Sequence, residues 1–105
     1  MNPKNGYLYI ITNEAFKGWV KVGTTWNLND RLHTYQTGDP HRRYKVVYSL
    51  CHHNFRSAEK KIKKLMAPFA KKIINEWYEI DLHMAIPRLE EALEDYDLEP
   101  VILTD

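Results

Sequence analysis

The hydrophobic positions change period several times along the chain, and each change marks an element. Tyr7-Leu8-Tyr9-Ile10-Ile11-Thr12 is rich in aromatic and β-branched residues and ends at the turn former Asn13, while Trp19-Val20-Lys21-Val22-Gly23 has the same character after Lys17-Gly18. The two predict a β-hairpin. Leu28 and Leu32 then recur at four-residue spacing behind the candidate caps Thr25 and Asn27, with Gly38 and Pro40 beyond, which predicts a helix over residues 27–36. Tyr44 to Leu50 predicts a third strand. Asn54 or Ser57 can cap a second helix with the apolar stripe Ala58, Ile62, Leu65 and Met66, ended by Pro68. Trp77 to Ile80 predicts a short strand, and a last helix starts near Pro87 with Ile86, Leu89, Leu93 and Tyr96 on one face. Val101-Ile102-Leu103 fits either an edge strand or an ordered tail. The order β-β-α-β-α-β-α predicts an α+β fold, a small antiparallel sheet with a three-stranded core flanked by helices.

At 105 residues and 44% hydrophobic content the chain suits one domain, with a core over residues 6–80 and an acidic helix and tail over 81–105. No apolar run is long enough to span a membrane and the first residues lack a signal-peptide pattern, so a soluble, cytoplasmic protein is expected. Cys51, the one cysteine, lies in an apolar run and reads as a small core residue. The net charge of +1 hides an asymmetry: residues 1–75 carry 14 Lys/Arg against four acids, whereas residues 76–105 carry ten acids against Arg88 alone. A body at +10 points to a polyanionic partner, because lysines and arginines bind phosphates with release of condensed counterions.

Spacing brings certain side chains together. Arg31 and Tyr35 lie one helical turn apart and flank the Leu28/Leu32 stripe. Tyr7, Tyr9 and Ile11 share one face of the first strand by its two-residue period. Glu59 is the only acid between Asp39 and Glu76, and it borders the buried stripe of a helix whose other faces carry Lys60, Lys61, Lys63 and Lys64. A carboxylate, a guanidinium and phenols beside a basic surface are the parts that phosphodiester cleavage needs. One Glu can hold a hydrated Mg²⁺, the arginine can stabilise charge on phosphate oxygens, and a tyrosine can assist an attacking water. The five histidines show no zinc spacing.

Taken jointly, Gly6-Tyr7-Leu8-Tyr9-Ile10, then Val20-Lys21-Val22-Gly23, Arg31, Tyr35 and Glu59 resemble the GIY-YIG nuclease superfamily over residues 6–80. That resemblance implies a metal-dependent endonuclease acting on DNA with Mg²⁺, or Mn²⁺ in its place. Tyr9 would assist the water, Arg31 would contact the scissile phosphate, Tyr35 would complete the same site, Glu59 would be the metal ligand, and Gly23 would permit close approach. Lys21 departs from the pattern, standing where a second tyrosine is expected. With Glu76-Trp77-Tyr78 near the end, this form resembles a branch common in phage and bacterial proteins, in which the lysine is a candidate site residue. Asn75 loosely matches a late asparagine of the pattern.

Arg42, Arg43, Lys45, Lys60, Lys63 and Lys64 are the candidate backbone contacts, giving salt-sensitive and weakly sequence-dependent binding. Nicking with little intrinsic specificity is the expected activity, any specificity coming from a homodimer or an accessory protein. The rival reading is a DNA-binding module of the same fold that has lost catalysis, with Lys21 as its mark. A third reading is an interaction protein that associates head to tail through its charge asymmetry. The acidic last helix is expected either to pack on the core or to shield the basic groove.

Overall fold

Alternation along the first strand decides the layering. The computed structural model describes residues 6–94, and in it Gly6–Asn13 (β1) sits near the middle of a five-stranded sheet. Trp19–Thr25 (β2) and Tyr44–His52 (β3) pair antiparallel on its two sides, with Tyr9 opposite Gly23 on one side and Ser49 on the other. Leu8 and Ile10 point to one face, joining Val20, Val22, Tyr48 and Leu50 in the main core. Tyr9 and Ile11 point to the other, joining Val46 in a smaller cluster. Both faces of β1 are therefore buried, which is why its sequence reads as a nearly unbroken apolar run.

One helix covers the smaller cluster. Asn27 caps Leu28–Thr37 (α1) by accepting from the Asp30 backbone N–H at 3.0 Å, and Leu28, Leu32 and Tyr35 pack on Tyr9, Ile11 and Val46. The opposite face carries Phe55–Met66 (α2), with Phe55, Ala58, Ile62 and Met66 buried, and Leu82–Ala92 (α3), with Ala85, Leu89 and Ala92 buried. Leu93 is buried beside them, so the acidic last helix packs on the core. Truncating a fully buried residue here, such as Ile62 to alanine, removes contacts worth roughly 2–5 kcal/mol.

Four features differ from the expected pattern. The sheet has five strands, in the order β3-β1-β2-β5-β4: Ile73–Ile74 (β4) pairs with Trp77–Glu79 (β5) around the two-residue loop Asn75-Glu76. Two residues carry no readable period, and β4 exists because β5 offers it a partner. Second, α3 begins at Leu82, because Asp81 accepts from the His83 N–H at 2.7 Å and caps it; Pro87 lies inside the helix on an exposed position. Third, Pro68 belongs to a short 3₁₀ turn, Ala67–Phe69, which follows α2. Finally, Cys51 is exposed: it pairs with Tyr7 at the end of β3, beside the first turn of α1, where the helix no longer covers the sheet. Tyr96 and Val101 to Leu103 lie outside the described residues. No helix among the described residues is long and apolar enough to cross a membrane.

The loop after α1 is organised by one carboxylate. Asp39, 5% exposed, accepts from the Asn13 side-chain amide at 3.0 Å, the His41 N–H at 2.9 Å and the Arg43 N–H at 3.0 Å, and pairs with the Arg43 guanidinium at 3.2 Å. The Arg43 guanidinium, helped by the backbone donors, holds this carboxyl well below the usual carboxylate range, against the opposing effect of burial. A carboxylate depressed in the folded state contributes stability that is complete above its unfolded value, about 4, and is lost as pH falls below it. The unfolding midpoint should therefore drop between pH 4 and more acidic conditions, and Asp39→Asn should start lower at neutral pH with a shallower acid limb, as thermal scans across pH will register.

Candidate active site

Tyr9 is the centre of the α1 face. Its ring is 1% exposed, and its hydroxyl lies 2.9 Å from the hydroxyl of Tyr35, one turn beyond Arg31 on α1. The rings meet edge to face at 6.3 Å. Gly23 on the neighbouring strand makes this approach possible, since a Cβ there would stand 2.5 Å from the Tyr9 hydroxyl. Lys21, two residues earlier on the same face of β2, sets its ammonium 4.6 Å from the centre of the Tyr35 ring and 5.8 Å from that of Trp77. The lysine in the place of a second phenol is thus packed against Tyr35 and Trp77, held by cation–π attraction.

Burial pushes the Tyr9 phenol far above its ordinary value; the hydrogen bond and proximity to Tyr35 add to this, Arg31 opposes it and the Glu76 carboxylate reinforces it. Tyr9 is accordingly a neutral hydroxyl at any physiological pH, a donor and acceptor but not a phenolate. Arg31 is exposed and lines a groove of about 350 Å³ with Thr24, Thr25 and Thr34, facing Arg56 from the first turn of α2. Arg56 lies over the rings of Trp26 and Phe55 at 5.5 and 5.4 Å.

Glu59 lies on α2, across the sheet from Tyr9. Its carboxylate is 3.3 Å from the Lys63 ammonium, which also lies 3.8 Å from Glu76. Burial, then the charges of Glu59 and Glu76, raise the phenol of Tyr78. Glu76 therefore shares Lys63 with Glu59 on the α2 side, and its charge also bears on the Tyr9 phenol. The sheet explains how: β5 covers β2 only from Trp19 to Lys21, with one further bond from Val22 N–H to the Glu76 carbonyl at 3.2 Å. Among the described residues no strand lies beyond that bond beside Gly23–Thr25, and at this open edge Arg31 of α1 and Arg56 of α2 line the same groove.

Asn75 holds Glu76 at this place from the backbone, with a φ of 55° that an asparagine tolerates in a tight turn. Tyr9, Lys21 and Tyr35 are brought together on the α1 side with Arg31 one turn before Tyr35, whereas Glu59 stands on the opposite face of the sheet, sharing Lys63 with Glu76. Arg42 and Lys45, exposed, lie along a groove at the far end of α1, with Arg43 engaged by Asp39. Lys60 and Lys64 are exposed on α2, whereas Lys63 is engaged by carboxylates. Glu76, part of the branch pattern but given no role by it, and Arg56 escaped the sequence reading of the site. Asn75-Glu76 between two apolar pairs is a hairpin signal that would have placed the first, and the spacing of Arg56 three residues before Glu59 gives a weak hint of the second. Among the described residues no three His, Cys, Asp or Glu side chains form a cage, so an ion here would keep water in most of its positions.

No curated protein and no solved structure gives a significant match. A family profile does, covering residues 6–95 and therefore both β1 with Tyr9 and α2 with Glu59. By that match the chain belongs to the T5orf172 domain family.

Proposed function

We propose that this protein is a Mg²⁺-dependent endonuclease of the GIY-YIG type that hydrolyses DNA phosphodiester bonds, nicking with limited intrinsic specificity. The observation that carries the reading is the Tyr9–Tyr35 hydroxyl pair at 2.9 Å, one helical turn from Arg31 on α1, with Glu59 and Glu76 sharing Lys63 on the other side of the sheet. The exposed cations give this edge a phosphate-seeking character: Arg31 and Arg56 line the groove, and Lys60 and Lys64 extend it along α2.

The residues divide the work by their chemistry. Glu59 would hold a Mg²⁺, which would supply charge neutralisation for the phosphate and a more acidic water. Arg31 offers a planar fork of donors to the phosphate, stabilising the charge that builds on its oxygens as water adds to phosphorus. Either hydroxyl of the pair can donate; when Tyr9 donates to Tyr35, the Tyr9 oxygen keeps a lone pair that can accept a hydrogen bond from the attacking water. Lys21, over the Tyr35 ring, adds positive charge near the same phosphate. Gly23 keeps the tyrosine in reach.

Supercoiled plasmid tests the reading. With Mg²⁺ the protein should convert it to open circles, and excess chelator should stop the conversion. Lys21 in the place of a second phenol favours a second reading, a binding module without catalysis, which predicts plasmid retarded in the gel but uncut with or without the metal.

A further inference from the structure

We infer that Glu76 is a second metal ligand of this site and that Lys63 is its internal counter-cation, occupying with its ammonium the place between two carboxylates that a divalent ion takes when it binds. The inference rests on the reading of Glu59 as the metal anchor and adds to it a partner on a different element. Lys63 Nζ stands 3.3 Å from Glu59 Oε2 and 3.8 Å from Glu76 Oε2, so a single positive charge bridges the two groups. An ammonium within 4 Å of carboxylates of α2 and of the β4–β5 loop shows that the two reach a common cation, and both donors are hard oxygens suited to Mg²⁺ or Mn²⁺.

The exposure of the three side chains decides which cation wins. Glu59 is 19% exposed, Lys63 28% and Glu76 49%. Ion pairs this accessible to water contribute little net stability, so the ammonium is a weak occupant. A doubly charged ion interacts more strongly with the same two carboxylates and can retain its waters on the open side. Lys63 has a flexible four-carbon stem and three donors, so on displacement it stays on the same flank of α2 as Lys60, free to meet a phosphate oxygen. Without metal the lysine suppresses repulsion between the glutamates, and with metal it changes partner. Asn75 at φ 55° and the Val22–Glu76 backbone bond keep Glu76 at the edge in both states.

The test is Mn²⁺ binding to the full-length protein without DNA, read as loss of the free-ion signal in electron paramagnetic resonance. Wild type should bind Mn²⁺, Glu76→Gln about tenfold more weakly and Lys63→Met about tenfold more tightly, on the order expected for removing one nearby charge. Lys63→Arg, which keeps the charge, should bind no tighter than wild type. Lys63→Met should also melt lower in chelator and recover when Mn²⁺ is added, and should it fail to fold, Glu76→Gln on its exposed turn and Lys63→Arg still decide the matter. Unchanged affinity in Glu76→Gln, or unchanged or weaker affinity in Lys63→Met, overturns the inference; if Glu59→Gln alone abolishes binding, the anchor survives without it. No binding by wild type, or full binding by Glu59→Gln, removes the anchor and the inference together, while plasmid nicking independently reports on the nuclease reading.

Discussion

Replacing Gly23 with alanine should cut the nicking rate by about 100-fold and destabilise the fold by about 1–3 kcal/mol. The added methyl would stand 2.5 Å from the Tyr9 hydroxyl and 2.6 Å from its Cζ, distances at which something must move. Backbone cannot yield easily, because Gly23 is paired within the β1–β2 ladder opposite Tyr9 itself. The tyrosine ring cannot swing into solvent either, since it is buried under α1 with its hydroxyl bonded to Tyr35. The remaining outcome is a displaced hydroxyl, and a shift on the order of 1 Å in a positioning group is enough for such a loss of rate. Tyr9→Phe separates the two effects: it keeps the ring and most of the stability but removes the hydroxyl, so the rate should fall without a matching drop in melting temperature. If Gly23→Ala is as stable and as active as wild type, the close packing of Tyr9 on β2 has no part in function.

Arg31→Ala should have the opposite profile, a large kinetic effect with almost no structural one. Arg31 is exposed on α1, so its loss should leave stability within about 0.5 kcal/mol. Its proposed work is done on a phosphate whose charge grows during the reaction, and removing one such donor lowers a rate by roughly 10²–10³. Binding should weaken only modestly, with the slope of log affinity against log salt falling by about one contact. Arg31→Lys should restore the binding but little of the rate, because an ammonium cannot offer the paired donors of a guanidinium. Single-turnover cleavage beside a salt titration of binding separates the two quantities. Equal losses in binding and rate would make Arg31 a docking residue and leave the chemistry to others.

The parts of this molecule that were legible in the sequence are those fixed by local period. Alternation in β1 put Tyr9 opposite the Leu8/Ile10 face, and four-residue spacing put Arg31 and Tyr35 beside the Leu28/Leu32 stripe, where α1 carries them. Glu59 next to Ala58 and before Ile62 was placed at the border of a buried stripe, and its partial exposure agrees. The parts that were not legible depend on pairing between distant segments. β4 has two residues and exists through β5; Glu76 matters because a turn lifts it to the edge where β5 stops covering β2. Cys51 shows a third kind of limit. Its neighbours in sequence are apolar, but whether a strand end is covered depends on where a helix from another segment starts. Asp81 is the start signal of α3, masked in the sequence by Pro87, a stronger punctuation mark that sits harmlessly on the exposed side.

The central claim is that Glu59 and the tyrosine pair serve one phosphate at the edge of β2, and the most direct measurement is a time course of plasmid nicking in Mg²⁺ by wild type and Glu59→Gln side by side. Substituting the amide keeps the shape of the side chain while removing its negative charge. The account predicts open circles from wild type and, from Glu59→Gln, plasmid that is retarded on the gel but stays supercoiled. Equal cutting by the two proteins, or retardation without cutting by wild type, would contradict it.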